Sequence, residues 1–280
     1  MTAGTGIPVS PFILVKGAGE MASAVAWRLY MANMRRICML DLDQPLCVRR
    51  QVSFCTALES GEAVVEGVGA IAARDWKGIE AAWKGQSIAV VRVTDRGRIG
   101  GIAPDIVIDA ILAKRNLGTG KDEAPLVIAL GPGFTAGTDC HLVIETNRGH
   151  DLGRIITVGS AAPNTGIPGE IAGHTDDRVL RAPATGRFQA QCAIGDLVRR
   201  NDVIGQVAGH PVPARLDGML RGMIRSGTAV TIGLKLGDID PRGKREHCDT
   251  ISDKARAIAG AVLEGVMRYC NQPSAAAEQC

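Results

Sequence analysis

At 280 residues, with 46% hydrophobic and 22% charged residues, the chain has an ordinary globular composition and room for two domains. A formal charge of +3, no long basic run and only 3% aromatic residues argue against a nucleic-acid partner. No apolar stretch approaches the roughly 20 residues of a membrane span, and no basic start precedes an apolar core, so a cytoplasmic protein with no membrane partner is expected.

The apolar run Phe12–Val15 leads into Gly17-Ala18-Gly19-Glu20-Met21-Ala22, a helical stretch from about Glu20 to Ala32, and a second run Ile37–Leu42. Strand, glycine turn, helix, strand is the order of a βαβ unit. Ile88–Val93 and Leu126–Leu130 read as further strands, Ile106–Leu112 as the start of a helix through Asn116, and His141–Glu145 as another strand. Residues 160–175 are rich in Gly and Pro and read as a loop. From Thr250, with Asp253 completing a capping box, Ala255, Ile258, Ala259, Val262, Leu263, Val266 and Met267 share one helical face, closed by Asn271 and Pro273.

Between these parts lies a repeat. An offset of 32 positions superimposes Gly186 on Gly218, Gly195 on Gly227, Val198 on Val230 and Gly205 on Gly237. This is similar to the two halves of a biotinyl/lipoyl-type module. The bend between the halves, Ala208–Pro213, has no lysine, so no covalently attached biotin or lipoate is expected. The expected fold is α/β: a Rossmann-like parallel-sheet domain over 1–177, a small barrel-sandwich β domain over 178–245, and 246–280 as a C-terminal helix on the α/β domain with a tail.

Four constellations could carry chemistry. Gly17-x-Gly19-x-x-Ala22 offers a tight turn, close backbone approach and a helix start to an anion, and Asp41 stands roughly 20 residues on, where a ribose-binding carboxylate is expected. The readings are a phosphate-bearing ligand on Gly17, Gly19, Glu20, Met21 and Asp41, or a structural βα turn. Glu20 would repel pyrophosphate there, with Arg49 and Arg50 as possible compensation. Gly131-Pro132-Gly133-Phe134-Thr135 is a candidate anion nest or a plain loop. Asn147, Arg148 and His150 follow a strand-like run beside Glu145, so that, were the two runs neighbours, both loops would meet at the strand ends. Asp238, Asp240 and Arg242 read as an internal ion pair rather than a metal site, with Cys248 near by.

The eight cysteines form no C-x-x-C pair, which leaves reduced, mostly core-filling thiols. P-loop, zincin and nucleophile-elbow motifs are absent. No metal ligand and no catalytic residue is assigned.

The segments VKGAGEMASAVAWRLY, APLVIALGPGFTAG, HLVIETNRGHDLGRII, PNTGIPG and GDIDPRG, in this order along nearly the whole chain, resemble the YqeB family of accessory proteins of selenium-dependent molybdenum hydroxylases. The N-terminal unit is similar to the Rossmann-like half of XdhC-type factors. What the resemblance implies is maturation: a molybdopterin-type cofactor, and a molybdenum hydroxylase or its maturation factors as partner. It brings no catalytic residues. An NAD(P)-dependent oxidoreductase, from the glycine turn and Asp41, and a non-catalytic docking scaffold are the alternatives.

Overall fold

A computed structural model of the chain describes residues 10–100 and 102–271; the expected tail with Cys280, and Pro273, lie outside them. Strands β1 (Ile13–Lys16), β2 (Ile37–Asp41), β3 (Glu62–Val65), β4 (Val68–Ala73), β5 (Ile88–Arg92), β6 (Ile106–Asp109), β7 (Leu126–Leu130), β8 (Thr135–Ala136), β9 (Leu142–Ile144), β10 (Ile155–Ile156) and β11 (Gly159–Ser160) come first, with helices α1 (Glu20–Met31), α2 (Ala57–Ser60) and α3 (Trp76–Lys84) among them. All but β8 and β11 form one nine-stranded sheet in the order β10-β9-β7-β6-β1-β2-β5-β4-β3. Its interior pairs are parallel, and β10 on β9 and β3 on β4 are antiparallel at the two edges.

Strands buried on both faces need no polar alternation, and these have none. Ile13, Val15, Ile37, Met39, Ile106 and Ile108 face one core, while Leu14, Cys38, Leu40 and Val107 face the other. Ile106–Leu112, expected to begin a helix, is β6 followed by a loop. An unbroken apolar run cannot distinguish a central strand from a buried helix; pairing with both β1 and β7 decides it here. The β3–β4 hairpin, unread in the sequence, turns through Glu66 (φ 42) and Gly67 (φ 81), the two left-handed residues of a tight hairpin.

Strands β12 (Val179–Arg181), β13 (Gly186–Ala190), β14 (Leu197–Val198), β15 (Val203–Val207), β16 (His210–Pro213), β17 (Gly218–Met223), β18 (Ala229–Val230) and β19 (Lys235–Asp240) form two four-stranded antiparallel sheets, β12-β19-β17-β14 and β16-β15-β13-β18. The offset of 32 positions carries each of β12 to β15 onto a strand of the opposite sheet. Phe188, Ile204, Leu220, Leu236 and Ile239 fill the space between.

The whole is a large mixed sheet with smaller antiparallel sheets and few helices. It corrects the expected Rossmann-like domain with a barrel-sandwich domain. The expectation needed a helix after Ile106, where the chain places a strand and then a loop with only a short 3-10 turn, Lys121–Glu123.

Helix α4 (Glu246–Asp249) precedes α5 (Asp253–Cys270). Ser252, not Thr250, caps α5, its hydroxyl accepting from the Ala255 amide. Ala255, Ile258, Ala259, Val262 and Val266 are buried in the core that α1 also faces, while Met267 is left exposed. Loop 42–50 is stapled between the parts. The Met223 amide donates to the Val48 carbonyl at 2.8 Å, Arg50 Nε donates to the Met223 carbonyl at 2.8 Å, and Arg49 Nη2 donates to the His247 carbonyl at 2.8 Å. Beneath this junction Arg178 and Arg221 pair with buried Asp238, and Arg242 Nη2 donates to Asp240 at 2.6 Å. No helix among the described residues is long and apolar enough to cross a membrane.

Candidate functional site

A cleft of about 690 Å³ opens beyond the carboxyl ends of β1, β2, β5 and β6. Gly17, Gly19, Glu20, Met21 and Asp41 line it, as do Lys16, Arg49, Arg96, Lys235 and Lys254. The turn is shaped by close approach. Gly17 has φ +94, and a Cβ there would stand 3.0 Å from the Ala110 carbonyl oxygen, so no larger residue fits without strain. Gly19, at φ −73, opens α1 with no side-chain cap. Among the described residues the amides of Gly19, Glu20 and Met21 find no acceptor.

The acids at the turn are already engaged. Asp41 Oδ2 accepts from the Ala18 amide and Oδ1 from the Leu42 amide, each at 2.7 Å, and burial pushes its carboxyl above the usual range. Glu20 Oε1 accepts from Arg49 Nη1 at 3.1 Å and from the Ser252 hydroxyl at 2.9 Å. Glu20 therefore turns toward the start of α5 rather than blocking its own helix.

The cations are unevenly matched. Lys16 is satisfied by Thr119 at 2.7 Å and Glu123 at 2.6 Å. Arg49 is buried, and its Nε has no acceptor, a costly state for a charged group in a cleft wall. Lys235 has one distant partner, Asp238 at 3.8 Å. Lys254 has no ion-pair partner among the described residues. Burial pushes both lysines down, and Lys114 and Arg148 add repulsion at Lys254. Unpaired positive charge in a recess is stabilised by an anion.

Between these charges the walls are apolar. Leu42, Leu46, Val93, Ile111 and Leu117 line the cleft and are 54, 51, 47, 43 and 54% exposed. Large apolar side chains exposed together mark a binding surface rather than ordinary scatter. Leu112 (φ 60) and Lys114 (φ 64) hold the left-handed region in the same loop, strain of the kind found where a loop is held for function.

The second and third loops of the sequence reading lie elsewhere. Gly131 and Gly133 do not line the cleft; a Cβ on Gly133 would meet the Arg115 backbone at 2.5 Å, so this glycine serves loop packing. Phe134 is 3% exposed within the core on the second face of the sheet, and Thr135 pairs with Ser160 across β8 and β11. The Asn147 amide donates to Glu145 at 2.6 Å. Arg148 makes a bidentate pair with Asp253, at 2.7 and 2.9 Å, which holds that carboxyl down to about 2 and ties the loop to α5. His150 is exposed and outside the cleft. β7 and β9 are neighbours and their loops pack on each other, on the Arg115 segment and on α5, outside the lining of the cleft. Conversely, Lys235, Lys254 and the apolar wall were missed, because they converge from distant parts of the chain.

No protein-family profile matches the chain. Among solved structures, an aspartoacylase family protein from Mesorhizobium loti covers 84% of this chain and 86% of its own at 11% identity and TM-score 0.25. A succinylglutamatedesuccinylase/aspartoacylase from Rhodobacter sphaeroides covers 22% and 21% at 26% identity and TM-score 0.19. Scores this low transfer neither fold nor function. The chain is 47% identical over 271 residues to "Uncharacterized protein YqeB" of Escherichia coli (strain K12). The match takes in 93% of this chain and 48% of that protein, so the chain spans about half the length of the curated relative. That homologue supports the YqeB resemblance read from the motifs.

Proposed function

We propose that this chain is a YqeB-type accessory protein that binds a phosphate-bearing pterin in the cleft and serves the maturation of a selenium-dependent molybdenum hydroxylase. The observation that carries the ligand class is the charge of Lys254, which has no ion-pair partner among the described residues, beside uncapped amides at the start of α1. A phosphate would take those donors, and Leu42, Leu46, Val93, Ile111 and Leu117 would flank a flat ring. The role in hydroxylase maturation rests on the family resemblance. The nicotinamide reading is weaker, because the carboxylate that would hold a ribose, Asp41, already accepts from two backbone amides.

Fluorescence titration of the purified chain with the oxidised phosphate-bearing pterin, and with the same pterin after phosphate removal, tests the reading. The phosphate form binds at least tenfold tighter, and Lys254→Gln removes most of that difference, about 1.4 kcal/mol. Equal affinity for both forms, or no binding of either, rejects it.

A further inference from the structure

At the carboxyl ends of β1 and β6 lies a polar cluster that the anion reading does not use. Lys16 and Asp109 are partners across the parallel pair, and Thr119 follows in the loop after β6. The Thr119 hydroxyl donates to Asp109 Oδ2 at 2.6 Å and accepts from Lys16 Nζ at 2.7 Å. Lys16 also donates to Glu123 Oε1 at 2.6 Å, and Asp109 Oδ1 accepts from the Ile111 amide at 3.1 Å. Asn116 fixes the Thr119 backbone: its Oδ1 accepts from the Thr119 amide and its Nδ2 donates to the Thr119 carbonyl, each at 2.8 Å. Lys16, Asp109 and Thr119 are 8, 2 and 5% exposed. A cluster that only fastened this loop could be sealed away, yet Lys16 and Thr119 line the cleft, with buried Asp109 bonded to Thr119.

We propose that Thr119 is a nucleophile for acyl transfer from activated esters and thioesters, with Asp109 as its base and Lys16 holding charge at the reacting oxygen. Thr119 Oγ1 bonds to the acyl carbon as its proton passes to Asp109. The bond from that carbon to the leaving oxygen or sulfur breaks, and the phenolate or thiolate departs with the electron pair. It takes up the proton that Asp109 releases. Water then splits the Thr119 ester, restoring the hydroxyl and freeing the carboxylic acid, so one ester and one water become an acid and a phenol or thiol.

The geometry suits these roles. A hydroxyl within hydrogen-bond reach of a base that a third group orients is the arrangement that activates a weak nucleophile. Here Asp109 is the base and the Ile111 amide orients it. A hydroxyl oxygen has two lone pairs; Lys16 takes one, and the other is left for an electrophile. Charge that develops on the oxygen meets the Lys16 ammonium in a largely buried setting, where it is stabilised more than in water. Ile111 and Leu117, from the same loop as Thr119, give a short acyl chain an apolar seat in the cleft.

The full chain, mixed with p-nitrophenyl acetate at neutral pH, quenched with acid and mapped by mass spectrometry, tests the site. A hydroxylamine-labile acetyl ester on Thr119 is expected, with nitrophenolate released beyond one equivalent. Thr119→Ser keeps both, and Thr119→Val falls to the buffer rate. Asp109→Asn slows release at least about a hundredfold. Its remaining rate, after the buffer rate is subtracted, climbs with hydroxide where that of the parent is level, a change that loss of a merely structural aspartate does not produce. Release that a folded Thr119→Val leaves unchanged, release no faster than buffer, or acetyl found only as stable lysine amides overturns the proposal. Circular dichroism reads the folding of Thr119→Val; if it is unfolded, the Thr119 ester of the parent and the activity of Thr119→Ser decide. The assay contains no pterin, so its failure leaves the ligand reading untouched.

Discussion

Gly19→Asp separates what the glycine turn does for the fold from what it does for a ligand. Gly19 is the N-cap of α1, has extended backbone (φ −73, ψ −172), and no atom lies within 4 Å of where its Cβ would be. Aspartate fits without strain and accepts from the open amides of the first turn. A capping carboxylate at a helix start is worth about 0.5–1 kcal/mol over an uncapped residue. Glu20 and Asp41 close by hold the gain near the lower figure, a rise in Tm of roughly 1–2 °C at this chain length. The same carboxylate occupies the amides that a phosphate needs. At about 4 Å and an effective dielectric of about 20 the repulsion is of the order of 4 kcal/mol, so affinity falls at least tenfold even after screening. Gly17→Ala is the control. It forces a side chain to φ +94 with its Cβ 3.0 Å from the Ala110 oxygen, costing about 2–5 kcal/mol of strain and overpacking. Thermal unfolding followed by circular dichroism, with pterin-phosphate titration of the same samples, reads both quantities. Gly19→Asp that is destabilised as much as Gly17→Ala, or that binds like the parent chain, refutes the argument.

The remaining predictions concern the scaffold. Ile258→Ala, on the buried face of α5, loses about 2–5 kcal/mol in denaturant unfolding. Arg221→Met leaves Asp238 and Asp240 with one cation fewer, and breaking such a buried pair costs about 3–5 kcal/mol. Surrounding guanidinium groups, with Lys235 beside Asp238, outweigh burial and hold both carboxyls below the usual carboxylate range. Their stabilisation is therefore complete above about pH 4 and lost as pH falls through the lower folded values. Denaturation midpoints measured from pH 7 down to pH 3 should fall below pH 4, and Asp240→Asn should flatten that fall.

How much of this was legible in the sequence depends on where the deciding contacts lie. The glycine turn, α1 and the stripe of α5 are local patterns, and the structure places them where the residues indicated. The spacing of Gly17, Gly19 and Asp41 brought those three to one cleft, although Asp41 faces the turn amides. Arg148 looked like an exposed ligand, but its partner, Asp253, is remote in sequence, and Phe134 looked like part of an open loop although it plugs the second core. Lys254 sits on the polar side of an amphipathic helix, where a solvated lysine is the default. Only the packing of α5 beside α1 turns it toward the cleft. The helix expected after Ile106 failed because pairing on both sides, invisible to periodicity, makes that run a central strand.

The central claim is that the recess beside the Gly17 turn receives an anion. A crystal structure of the chain soaked with the oxidised pterin phosphate measures this most directly. Phosphate density is expected within hydrogen-bond reach of Lys254 Nζ and the first amides of α1, with the ring between Leu46 and Ile111. Density at another surface, with the cleft holding only water at saturating ligand, contradicts it.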